Sequence, residues 1–179
     1  MILPVYAYGQ RVLKKQALNI DSSFEDLDKL IDDMWEMMYH AKGIGLAAPQ
    51  IGKSIRLFLI DTVQLMEDDK TIKGFKKAFI NAEIIDESGD EVSYEEGCLS
   101  IPDIRSDVTR HSKVTIKYQD KEFNDFEESF DGITARVIQH EYDHIEAKLF
   151  TDYLSPLKKR LLKTFVKNLA TVTLFKFQK

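Results

Sequence analysis

A single cysteine, Cys98, in 179 residues excludes any intrachain disulfide. One thiol with no partner fits a reducing compartment, and a cytoplasmic location is expected. No stretch approaches the roughly 18 consecutive apolar residues of a membrane-spanning helix. The N-terminus "MILPVYAYGQ" has neither a basic n-region nor an adequate apolar stretch, so no secretory signal is expected. Repeats, low-complexity segments and linkers are missing as well, which predicts one domain over residues 1–179. Histidine is scarce, with four in the chain, and no acidic residue follows Asp152.

The remaining composition is 44% hydrophobic and 31% charged, enough for one sizeable core under a charged surface. The net charge of −5 is unevenly spread. From Ser155 onward, "SPLKKRLLKTFVKNLATVTLFKFQK" carries seven Lys or Arg, which leaves about −12 on the rest. Such a segment is either a solvated helix face or a surface for something anionic, such as RNA. No membrane or DNA partner is expected.

Apolar residues at three-and-four spacing over residues 22–42 predict an amphipathic helix. Ser22 or Ser23 would cap it and Gly43 would end it. "IRLFLID" (55–61) reads as a buried strand, and 62–76 as a long connector with room for a helical turn. Strands are expected over 77–87 and 91–99, separated by a turn at Glu87–Gly89. "KVTIKYQD" and "EFNDFEESF" read as a hairpin about Asp120–Lys121. A further helix follows with Asp131 as N-cap, and another starts at Ser155–Pro156. "TVTLFKF" at the end suggests a strand. Strands and helices that do not alternate give an α+β class: antiparallel sheet around a central helix, with an N-terminal and a C-terminal helix.

The central helix carries "VIQHEYDHIEAKLF" (137–150), in which His140 and His144 lie four apart and Glu141 follows the first. Four-residue spacing puts both imidazoles on one helix face, where they can converge on one ion. Ile133 and Val137 continue that stripe, and Ile138, Tyr142, Ile145 and Leu149 form a second, so the histidines are expected to point inward. Glu141 sits about 100° around the helix, within reach of a water at the ion but without a ligand's direction. No third donor is found downstream: position 150 is Phe, position 147 is Ala, and Glu146 faces away. The upstream candidate is Cys98 in "YEEGCLSIP", with an inert buried cysteine as the competing reading.

"GIGLAAPQ" (43–50) lacks the Gly-Lys-Ser/Thr ending of a phosphate loop. Taken in order with "EGCLS" (96–100) and "QHEYDH" (139–144), it resembles the peptide deformylases. The resemblance implies Cys98, His140 and His144 as metal ligands and Glu141 as the catalytic acid/base. It implies Gln50 and the backbone N–H of Leu99 as oxyanion donors. Gly45 would pair with the substrate backbone, and Arg105 would lie near the substrate. An apolar pocket for the methionine side chain is expected from Ile44, Ile133 and Val137. The implied reaction is hydrolytic removal of the formyl group from formyl-methionyl nascent peptides, releasing formate. The implied cofactor is one divalent ion per chain, Fe2+ in cells, with Zn2+, Ni2+ or Co2+ as substitutes in purified protein. The ribosome is a candidate partner through the basic C-terminal segment. Ala147 stands where the family often has Gly. A peptidase cutting internal bonds and a non-enzymatic fold with a structural metal are the rival readings.

Overall fold

In a computed structural model, residues 3–67 and 69–161 are described. The expected terminal strand near Thr171, and Lys163 and Lys167, lie outside the described residues. One antiparallel sheet runs in chain order, β1 (Gly45–Ala47), β2 (Leu57–Asp61), β3 (Lys76–Cys98), β4 (Ile101–Gln119) and β5 (Asp125–Asp131). Two helices pack on it, α1 (Leu27–His40) and α2 (Gly132–Ile145). The α+β class and the antiparallel sheet follow the sequence expectation, as does the order of the elements.

β2 shows why its sequence is apolar from Leu57 to Ile60. Phe58 and Ile60 join the cluster under α2, with Ala135, Val137, Ile138 and Ile145. Leu57 and Leu59 join the cluster under α1, with Leu30, Met34 and Met38. Side chains alternate across a strand, so a strand covered on both faces needs apolar residues throughout. Full burial of each such side chain is worth about 1.5–3 kcal/mol. The sheet therefore fixes α2 on one side and leaves its histidine-bearing stripe aimed along β1 and the β3–β4 junction.

Several local expectations need correction. The first helix begins at Leu27 rather than 22, and Ser23 does not cap it. The Ser23 hydroxyl instead bonds the Asp21 carboxylate two residues back, a local competitor of the helical turn. The left-handed residue at its end is Lys42, φ 56, with Gly43 N–H closing onto the Met38 carbonyl at 2.8 Å. The expected turn at Glu87–Gly89 is a bulge within the continuous strand β3, where the register slips between Ser88 and Glu91. Gly89 takes φ 77 there, and a Cβ would stand 2.4 Å from the Ser112 hydroxyl. β4 starts at Ile101, well before "KVTIKYQD", so β3 and β4 form one long ribbon. The β4–β5 hairpin is as expected, with Gln119 opposite Asp125. Asp131 occupies the N-cap position of α2 with extended backbone, but its side chain makes no capping bond. Residues 156–161 are helical, as Ser155–Pro156 predicts. Leu157 and Leu161 of that helix are 69% and 62% exposed.

Candidate metal centre

α2 delivers His140 and His144 from adjacent turns, with ring centroids 5.2 Å apart. β3 ends at Cys98, and a two-residue turn through Leu99 and Ser100 leads into β4. The ribbon brings the thiol to the histidine face: Cys98 Sγ lies 3.3 Å from His144 Nε2. The donor atoms of Cys98, His140 and His144 all lie within 4.8 Å of one another. No other such group of donors occurs among the described residues.

The three-residue strand β1 and the 3-10 turn Ala48–Ile51 wall the opposite side. Gln50 is held there by its own side chain, whose Oε1 accepts from the Ala47 N–H at 2.8 Å. Its Nε2 faces Cys98 Sγ at 3.4 Å and the Ser100 hydroxyl at 3.3 Å. Pro49 inside that turn and Gly52 at φ 86 after it fix where the chain stops turning.

Every residue singled out from the sequence converges here. A cleft of about 770 Å³ is lined by Gln50, Cys98, Leu99, His140 and Glu141 at its inner end. Ile44, Gly45, Ile133, Val137 and Arg105 line the rest. His144 sits behind Cys98, 1% exposed. Arg105 lies at the rim opposite Gly97 in the ribbon, its guanidinium 3.9 Å from Glu95. A second cavity of about 900 Å³ adjoins the cleft, sharing Leu65, Tyr94 and Ile133. No group of donors able to share an ion lines it among the described residues.

Glu96 was part of a quoted motif but carried no assigned role; it proves central. It lies two residues before Cys98, on the same face of β3. Its carboxylate meets His140 Nδ1 at 2.9 Å, Arg110 Nε at 2.7 Å and Arg136 Nη1 at 3.0 Å. Burial works against its ionised form, but hydrogen bonds from His140 and Arg110 prevail and hold its pKa down at about 2. An ionised Glu96 accepts the Nδ1–H of His140 and turns Nε2 toward the thiol. Asp143 also stood in a quoted block, "QHEYDH", without a role, and Arg110 and Arg136 gave no sequence signal. Their contacts depend on strand register and on how α2 lies against the ribbon.

The electrostatics separate the remaining groups. Burial opposes charge on His140, yet Cys98 and Glu96 hold its pKa well above the usual imidazole range. Burial first, and then His140 and Arg110, push His144 well below it. Burial pushes Glu141 up to about 7. Glu141 Oε2 and His144 Nδ1 are buried and find no hydrogen-bond partner among the described residues.

These donors suit one divalent ion. Bond lengths of about 2.0–2.3 Å put ligands of a tetrahedral ion roughly 3.3–3.7 Å apart, and the Cys98–His144 separation of 3.3 Å agrees. A thiolate and two imidazoles would leave one position of such an ion for solvent or substrate, and Glu141, whose buried Oε2 finds no partner among the described residues, lines the same inner end of the cleft. A small α+β fold with such a donor group at the inner end of a cleft has the make-up of a mononuclear metallohydrolase.

The sequence model of the family described as polypeptide deformylase matches residues 2–160. A peptide deformylase of Flavobacterium johnsoniae is 52% identical over 176 residues, covering 94% of this chain and 90% of that protein. The crystal structure of a peptide deformylase from Legionella pneumophila superposes with TM-score 0.84 at 38% identity, covering 100% of this chain and 99% of that one. A Synechococcus elongatus peptide deformylase solved in complex with actinonin gives TM-score 0.77 at 37% identity, over 86% and 81% of the two chains. The chain belongs to the polypeptide deformylase family. It is a metal-dependent hydrolase that removes the N-terminal formyl group from formyl-methionyl nascent peptides. No helix among the described residues is long and apolar enough to cross a membrane.

Proposed function

We propose that Cys98, His140 and His144 hold the divalent ion and that Glu141 is the acid/base of the deformylation. The observation that carries this reading is the closure of three donors to within 4.8 Å beside a buried, unpartnered Glu141. The chemistry such an ion supplies is Lewis acidity, which polarises a carbonyl and acidifies water. Glu141 takes a proton from the water that attacks the formyl carbon. Gln50 Nε2 and the Leu99 N–H donate to the oxygen that becomes negative. Glu141 then passes its proton to the amine as the C–N bond breaks, leaving formate and a free N-terminus.

Substrate binding is assigned to the outer cleft. Ile44, Ile133 and Val137 form the apolar side that takes methionine, Gly45 pairs with the peptide backbone, and Arg105 faces the departing chain. The whole of residues 1–179 works as one catalytic domain. Fe2+ is the ion in cells, with Zn2+, Ni2+ or Co2+ accepted by purified protein, because a lone thiolate with two imidazoles suits all of them. The enzyme acts in the cytoplasm, and its basic C-terminal segment meets the ribosome. Actinonin is proposed to occupy the same cleft.

The internal-peptidase and structural-metal readings are weaker. Among the described residues no fourth protein donor joins the group, which favours an open coordination position. The test is formate release from formyl-Met-Ala by anaerobically purified protein, with the metal analysed in parallel. Wild type should release formate and leave longer N-blocked peptides uncut. Cys98→Ala should lose both the metal and the activity. Stoichiometric metal at wild-type affinity in that variant would disprove the ligand set.

A further inference from the structure

Arg110 stands outside the donor group, yet it joins both elements that carry the donors. It projects from β4, opposite Val92 of β3. Its Nε and Nη2 grip both oxygens of Glu96, at 2.7 and 3.0 Å. Glu96 belongs to β3, two residues from Cys98. Its Nη1 reaches Asp143 Oδ2 at 2.7 Å. Asp143 belongs to α2, between His140 and His144. All three side chains are buried.

The contacts extend outward in one direction and inward in the other. The Tyr153 hydroxyl donates to the other Asp143 oxygen at 2.9 Å, and the Arg110 guanidinium lies 4.8 Å from the centroid of the Tyr153 ring. Tyr153 closes the 3-10 turn Phe150–Tyr153 just after α2. Inward, Glu96 Oε2 receives His140 Nδ1 at 2.9 Å. A continuous chain thus runs Tyr153, Asp143, Arg110, Glu96, His140. We propose that Arg110 is a positioning residue of the metal centre, clamping Glu96 so that it orients the His140 ring, while Asp143 and Tyr153 clamp Arg110.

The geometry argues for orientation rather than cohesion alone. A lysine would supply the same charge and could reach one carboxylate, but it cannot form the fork that fixes both oxygens of Glu96. Without the fork Glu96 keeps only the single contact from Arg136 Nη1 to Oε1 on its arginine side, and the hydrogen bond from Oε2 that sets the tautomer and angle of His140 loosens. Loss of such outer contacts typically weakens metal binding about 10- to 100-fold. This role rests on the proposed ligand set, so the test carries a control for that set.

Co2+ affinity, measured by chelator competition, and the visible d–d spectrum of the Co2+ protein would be recorded for wild type, Arg110→Lys, Tyr153→Phe and Cys98→Ala. Arg110→Lys should bind Co2+ about 10- to 100-fold more weakly, with displaced d–d bands. On formyl-Met-Ala its kcat should fall while KM moves little. Tyr153→Phe keeps the ring and removes only the bond to Asp143, so a loss of several-fold with a smaller spectral shift is expected. It decides the matter if Arg110→Lys does not fold. Wild-type affinity and spectrum in a folded Arg110→Lys, or in Tyr153→Phe when the former is unfolded, overturn the proposal if Cys98→Ala loses the ion. If Cys98→Ala also binds as wild type, the ligand set has failed, and the positioning role with it.

Discussion

A Cβ on Gly45 would stand 2.3 Å from Oε1 of Glu141. The glycine in β1 therefore leaves the room that the Glu141 carboxylate occupies. The family resemblance assigned Gly45 to the substrate backbone, and this second demand on it was not visible in the sequence. Gly45→Ala should displace the carboxylate while leaving Cys98, His140 and His144 in place. A displacement near 1 Å is enough to cost on the order of 100-fold in rate. Steady-state formate release and metal content of the purified variant test this. Full metal occupancy with kcat within a few-fold of wild type would refute the steric argument.

Glu141→Gln removes the proton acceptor and nearly preserves shape. The buried side chain has an unpartnered oxygen, so the amide fits without breaking a hydrogen bond among the described residues. Metal content should remain stoichiometric, and kcat should fall by roughly 10²–10⁴, the range typical for a lost general base. The measurement is formate release on metal-matched samples. Activity within a factor of a few would remove Glu141 from the role proposed for it.

The centre was legible because helical periodicity is local. His140 and His144 share a face of any helix, whatever packs on it, and elimination of downstream donors pointed back to Cys98. Glu96 was also within reach, since alternation along β3 puts it on the side of Cys98. Arg110 was not. Its contact with Glu96 needs the register of two long strands, and its contact with Asp143 needs the packing of α2. The same limit explains the miss at Glu87–Gly89: "ESGD" carries the signal of a turn, but pairing with β4 continues on both sides and turns it into a bulge. The capping error at Ser22 and Ser23 is smaller and local, an Asp21–Ser23 bond winning over the cap.

Ala147 provides a stability test away from the cleft. It follows the C-cap Glu146 of α2 with φ 59, a left-handed conformation that costs a residue with a Cβ roughly 1–2 kcal/mol. Ala147→Gly removes that cost but gives the unfolded chain more freedom, which returns part of it. A net gain of about 1 kcal/mol is expected, or a rise in Tm of about 2–4 °C for a chain of this size. Thermal melts of metal-loaded wild type and variant, side by side, decide it. An unchanged or lower Tm would show that the turn after α2 carries no such strain.

The last prediction concerns the basic segment after Ser155, which is proposed to meet the ribosome. Lys159 already uses one donor within the molecule, its Nζ donating to the Asp152 carbonyl at 2.7 Å. Lys158 is exposed, and Leu157 and Leu161 beside it are also exposed, so the first turns of this helix present both charge and apolar surface. Replacing Lys158, Lys163 and Lys167 with Glu should spare turnover of formyl-Met-Ala, since Lys158 does not line the cleft and the proposed chemistry uses none of the three. Three charge reversals should weaken binding to polyanionic RNA. The difference should be greatest at low salt, where phosphate contacts gain most from counterion release. Co-sedimentation with ribosomes over a salt series measures this. Equal pelleting of the wild type and the triple variant at low salt would reduce these lysines to solvated charges.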